Sequence, residues 1–100
     1  NMSVAIHRHG DARACGATTI VSGQSTVFAN SILVSVNGDA NSHGAGNLVA
    51  GSNNVFIEGK AVVNNSADGA AADNLCPSAG GTHCAPVTAA GSPDVFVGDG

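Results

Sequence analysis

The chain has 100 residues and a formal net charge of -4, with Arg8, Arg13 and Lys60 as its only basic side chains apart from histidine, which excludes the cationic surface that nucleic acid or an anionic membrane requires. Its 43% hydrophobic content is mostly Ala and Val, with three Phe and no Trp or Tyr, so one small ordered domain with a thin core is expected. No apolar run reaches the roughly 18 residues of a membrane span, and without a leader-like apolar stretch the chain is expected to begin in the cytosol with its thiols reduced.

The first segment, "IHRHGD" at 6–11, sets His7 and His9 ahead of a Gly-Asp pair. Both histidines read as solvated polar residues, and Asp11 and Asp39 as turn formers that bond nearby backbone N–H groups. From Gly10 runs "GDARACGATTIVSGQSTVFANS", and from Gly38 runs "GDANSHGAGNLVAGSNNVFIEG" in the same register. Cys15 matches His43, Gly23 matches Gly51, and the Val-Phe pairs match. A third copy, "HCAPVTAAGSPDVFVGDG" from His83, repeats the second half, with "ADNLCPSAGG" inserted ahead of it. The copies span about 10–37, 38–66 and 67–100.

Within a copy, a short apolar strand ("TTIVSG", "NLVAG", "PVTAAG") leads into a turn and then a strand opening on Val-Phe, which predicts one β-hairpin per copy. Pro93 suits the third turn because it pre-sets φ and lacks a donor. Helical periodicity is absent, and "ADGAAADNL" at 67–75 reads as a short turn at best. "NNS" at Asn64 matches a glycosylation acceptor but reads as a turn in a chain without a leader. Three hairpins in so short a chain must bury their apolar faces on one another. The expected fold is therefore all-β, a small conical domain of three pseudo-threefold-related β-hairpins, with Phe28, Phe56 and Phe96 forming one layer on the axis.

The same symmetry brings Cys15, His43 and His83 together as a second layer. Zinc takes four Cys and His ligands in tetrahedral sites, and the insertion offers Cys76 as the fourth, giving a Cys₂His₂ centre at Cys15, His43, Cys76 and His83. Cys84 is the rival fourth ligand, although neighbours in an extended segment point to opposite sides, and it falls where the other copies have Gly16 and Gly44. A Cys76–Cys84 disulfide is the competing reading of the pair. A nucleophilic Cys84 with His83 as its base is disfavoured, since direct neighbours rarely reach that geometry.

The stretches "GDARACG", "GDANSHG", "CPSAGGTH" and "GSPDVFVG" together resemble PAAR-repeat proteins, the tips of contractile injection spikes, across about Val4 to Gly98. The eponymous Pro-Ala-Ala-Arg is missing, with "SILVSVNGD" and "KAVVNNSAD" in its place, which favours a phage-tail branch over a bacterial type VI secretion tip. The resemblance implies a non-enzymatic structural protein. It would be a cone with an apical metal (zinc, with iron as the alternative) held at Cys15, His43, Cys76 and His83, where the family more often uses three histidines and one cysteine. The flat base would seat on a trimeric β-helical spike, one copy per trimer. The chain would be a monomer when free, assembled in the host cytoplasm into the virion tail baseplate spike, and it would concentrate contraction force on the target envelope. A small metal-dependent enzyme, needing an open coordination position for water, and a free metal-buffering protein are the contrasting readings.

Overall fold

A computed structural model describes residues 3–50, 55–65, 69–76, 78 and 81–98. The described residues are all-β, with ten short strands in five two-stranded antiparallel sheets and one 3-10 turn at Gly81–Cys84. The strands are β1 (Ser3–Ala5), β2 (Thr19–Ile20), β3 (Phe28–Ala29), β4 (Ile32–Leu33), β5 (Ala40–Asn41), β6 (Leu48–Val49), β7 (Phe56–Ile57), β8 (Lys60–Ala61), β9 (Gly69–Ala70) and β10 (Phe96–Gly98). The molecule is longer in one direction, 36 × 26 × 24 Å.

The hairpins lie one element later than the sequence pattern predicts. β3 pairs with β4 and β7 with β8, setting Phe28 opposite Leu33 and Phe56 opposite Ala61. Two-residue turns close both, with Asn30 and Ser31 at φ 55° and 64° and Glu58 and Gly59 at 53° and 81°. Positive φ at both central residues is the turn whose twist matches a right-twisted strand pair. The third equivalent pair is not a hairpin: β10 pairs antiparallel with β1, the first strand, and Phe96 lies opposite Ala5. The strands expected to fold back within a copy instead join neighbouring copies. β2 pairs with β5 and β6 with β9, while Arg13 bridges Thr88 and the Ala89 N–H donates to the Ala12 carbonyl at 2.9 Å.

The pseudo-threefold axis is visible in the backbone. Ser35 N–H donates to the His7 carbonyl at 2.9 Å, Val63 N–H to the Ser35 carbonyl at 3.0 Å, and His7 N–H to the Val63 carbonyl at 3.0 Å. These three bonds close a ring, reinforced by the bridges Arg8–Val34, Val36–Val62 and Asn64–Ile6. Each copy thus satisfies its neighbour's backbone, and no copy needs a wide sheet of its own.

The core gathers beside this ring: Ile6, Ala29, Val34, Val36, Ile57 and Val62, with Val95 and Val97 packed against them. The expected phenylalanine layer is not there. Phe28, Phe56 and Phe96 do hold one equivalent position, but they are 56%, 57% and 53% exposed. Successive strand residues face opposite ways, and the next residues, Ala29 and Ile57, take the buried places while Val97 packs against them. A narrow axis accepts Ala, Val and Ile from three sides where three phenyl rings would force the copies apart.

Beside a few further apolar residues such as Ala17, Leu48 and Val63, much of the remaining interior is polar. His7, expected in solvent, is fully buried, as are Arg13, Thr19 and Asp39. The Arg13 side chain donates through Nε to Thr19 Oγ1 at 2.5 Å, through Nη1 to the Gly46 and Pro86 carbonyls at 2.8 Å each, and through Nη2 to the Asp39 carbonyl at 3.1 Å. One guanidinium thus ties the three copies together. Asp39 forms the expected turn, accepting from Val36 and Gly23 N–H at 2.9 Å, Ser22 N–H at 3.1 Å and the Ser35 hydroxyl at 3.0 Å.

His7 Nδ1 lies 2.7 Å from the Ala90 carbonyl and Nε2 lies 2.6 Å from Thr19 Oγ1. The carbonyl only accepts, so Nδ1 carries the proton, and Nε2 accepts from the threonine hydroxyl. Burial lowers the pKa of this imidazole below the ordinary histidine value, against the opposing pull of the Ala90 carbonyl. A group whose pKa is depressed by folding binds more protons unfolded, so the stability it contributes is present above about pH 6.5 and declines as pH falls below it. Urea unfolding between pH 7.5 and 5 is expected to show stability falling by up to about 1.4 kcal/mol per pH unit. The His7→Gln variant should show a flatter profile, and equal slopes for the two proteins would refute the assignment.

Candidate metal centre

Beyond the axial ring, each copy enters a turn that delivers one side chain to a common point. Ala40 pairs with Ile20 and Ala70 with Leu48, while Ala12 receives the Ala89 N–H. Three residues after these alanines come His43, Asp73 and Cys15. Asp73 is therefore the third copy's equivalent of Cys15 and His43. The positive φ of Gly44, 93°, lets the chain turn directly after His43, and a Cβ there would collide with the Asn74 side chain.

Cys15, His43, Asp73 and His83 each present one ligand atom within 4.8 Å of the others. Asp73 Oδ2 lies 3.2 Å from His43 Nδ1, 3.1 Å from His83 Nδ1 and 3.5 Å from Cys15 Sγ, and the Cys15 sulfur lies 3.8 Å from His43 Nδ1. Ligands about 2.0–2.3 Å from a tetrahedral metal stand about 3.3–3.8 Å from one another. Two of these four separations fall in that range and two lie 0.1–0.2 Å below it, so the donors present fit a metal ion after a small adjustment.

The surroundings aim these atoms. Leu75 N–H donates to Asp73 Oδ1 at 2.8 Å, leaving Oδ2 for the cluster. The Asn41 amide oxygen accepts the His43 N–H at 2.9 Å, and its nitrogen lies 3.3 Å from Asp73 Oδ2. Groups behind the ligands that fix their orientation are characteristic of metal sites. Burial on its own would raise the Asp73 carboxyl, but the Leu75 N–H, His83, His43 and Asn41 outweigh it and hold the group well below the usual carboxylate range. Asp73 is buried, whereas the His43 and His83 side chains keep 26% and 13% exposure, so the cluster reaches the surface.

Cys15, His43 and His83 do converge, but the third register position is Asp73, and His83 joins from outside the register. Cys76 lies outside the cluster: against the expectation of reduced thiols, its sulfur is bonded to Cys84, with the two Cα atoms 5.0 Å apart. The remaining place belongs to Asp73, which stands at the start of the stretch read as an insertion, and His83, read as the start of the third copy, arrives instead from the 3-10 turn Gly81–Cys84. The sequence signal for Asp73 was the Ala-x-x-ligand spacing shared by "ARAC", "ANSH" and "AAAD". His43 follows Cys15 by 28 residues but Asp73 follows His43 by 30, and that offset hides the match.

Comparison with family models, curated proteins and solved structures found no match for this chain.

Proposed function

We propose that this chain is a PAAR-like structural tip that caps the trimeric β-helical spike of a contractile phage tail, one copy per trimer, with a structural metal centre at its apex. The observation that carries the reading is the set of three half-exposed phenylalanines, Phe28, Phe56 and Phe96, at equivalent positions of three antiparallel strand pairs around a pseudo-threefold axis. A monomer with three near-identical apolar contacts matches a partner with three identical chains. It would also cover the strand edges that such a trimer leaves unpaired at its end.

In each copy the hairpin, the axial ring segment and the ligand position follow one another along the chain: Phe28–Leu33, Val34–Val36 and His43 in one, Phe56–Ala61, Val62–Asn64 and Asp73 in the next. Metal cohesion would thus stand at one end of the axis and the apolar contacts at the other. A thin-cored end gains most from a bound metal, because packing there is scarce. Zinc is the proposed ion, since it accepts thiolate, imidazole and carboxylate tetrahedrally, and iron is the alternative. The ion would fix the turns of all three copies, and four protein ligands leave it a structural role in place of catalysis.

Co-purification with a trimeric β-helical spike, with metal measured on the same sample, tests the reading. Phe28→Ser, Phe56→Ser and Phe96→Ser combined should abolish capture while leaving metal content and melting temperature nearly unchanged, because these rings contribute little to the core. Undiminished capture by the triple variant, or absence of both capture and metal in the wild type, would sink it.

A further inference from the structure

We infer that Cys76 and Cys84 are positioning residues of the metal centre, their disulfide serving as a clasp that holds His83 and Asp73 at ligand distance. The inference rests on the metal-centre reading and concerns how this chain keeps its ligands in place.

His83 does not come from a repeat turn. It sits on the 3-10 turn Gly81–Cys84, which contains no buried residue. Apolar packing cannot anchor this ligand, and an imidazole on an unanchored turn would have to be ordered anew each time a metal binds. Two other links do the anchoring. Asp73 N–H donates to the His83 carbonyl at 2.8 Å, and Cys84, the next residue after His83, is bonded to Cys76 across a sequence separation of 8. Cys76 is itself held to the other ligand, its N–H donating to the Asp73 carbonyl at 3.1 Å. The disulfide therefore joins the residue after one ligand to the residue three beyond another.

The consequence is a small covalent ring with a ligand beside each of its ends. Its Cys84 end cannot swing away without drawing His83 from Asp73, whose ligand atoms stand 3.1 Å apart. Cys15, His43 and Asp73 lie outside the ring, on repeat turns held by backbone bonds: Ala14 N–H to the Val87 carbonyl at 2.8 Å, Ser42 N–H to the Thr18 carbonyl at 2.8 Å and Asn74 N–H to the Gly44 carbonyl at 3.0 Å. Opening the clasp should weaken metal binding through loosening of His83 relative to Asp73 while the ligand set stays Cys15, His43, Asp73 and His83.

The test titrates cobalt(II) into three full-length samples freed of metal: the oxidised wild type, the wild type reduced by a water-soluble phosphine, and Cys76→Ser/Cys84→Ser. In the phosphine arm the disulfide gains two electrons and two protons, and the phosphine takes oxygen from water to become its oxide. Both clasp-free samples are expected to remain folded and bind cobalt roughly 10–100-fold more weakly, the range for losing a group that orients a ligand. The thiolate-to-cobalt charge-transfer band should keep the intensity of one cysteine. Unchanged affinity, or tighter binding with a stronger band showing that Cys76 or Cys84 has joined the metal, overturns the inference. So does global unfolding of both clasp-free samples without metal, which would make the disulfide a general staple of the fold. Failure of the oxidised, folded wild type to bind cobalt would instead refute the underlying metal centre.

Discussion

Arg13→Met is expected to cost about 3–5 kcal/mol of folding stability, a large share of the roughly 5–15 kcal/mol that holds a small domain together. The guanidinium meets the Gly46, Pro86 and Asp39 carbonyls and the Thr19 hydroxyl. Methionine fills much of the same volume but leaves those buried acceptors without their donor, at about 1–3 kcal/mol for each one left unsatisfied. Burial draws the Arg13 pKa down, partly offset by Cys15, Asp39 and Asp73, yet an arginine remains charged in a protein. Its positive charge therefore also balances the buried Asp39 and Asp73 carboxylates. Denaturant unfolding in the presence of chelator isolates this effect from the metal. A loss below about 1 kcal/mol would show that the three copies do not depend on the guanidinium. Arg13→Lys should recover little, since one ammonium cannot reproduce the fork.

The second large effect is expected at Asp73. Asp73→Asn keeps the shape of the side chain and removes the anionic oxygen on which His43, His83 and Cys15 converge. Metal affinity should fall by more than the roughly 10–100-fold typical of losing a group behind a ligand, and the rise in melting temperature on adding zinc should vanish. Cys76→Ser, by contrast, should retain one metal per chain, bound more weakly. This pair of variants separates Asp73 from Cys76 as the fourth ligand, and the reverse pattern would restore Cys76 to the metal. Adding chelator to the wild type should reproduce the melting temperature of Asp73→Asn.

Much of the architecture was legible because it repeats. Gly-Asp, a ligand position and Val-Phe recur in register, and that register led to three copies, an axis and the convergence of Cys15 and His43, while it assigned the third position to His83 where Asp73 holds it. Orientation was harder to read. "VFA", "VFI" and "VFV" are apolar at every place, so strand alternation has two phases, and sequence preference for burying phenylalanine selects the wrong one. Hairpin placement was hidden for a related reason. "ANSI" and "IEGK" close the real turns through positive φ at Asn30, Ser31, Glu58 and Gly59, whereas the conspicuous "GQST" and "GSPD" stretches connect strands that pair elsewhere.

Composition and repeat spacing by themselves determined an all-β, thin-cored domain with pseudo-threefold organisation and a His/Cys cluster contributed by separate copies. Only the tertiary structure decided that His7 and Arg13 belong to the interior, that Asp73 completes the cluster and that Cys76 pairs with Cys84. The reason is that a local pattern specifies which residue types alternate along a strand, but not which distant side chains meet. That depends on how the ring of copies closes, through the His7–Ser35–Val63 bonds and the pairing of β1 with β10.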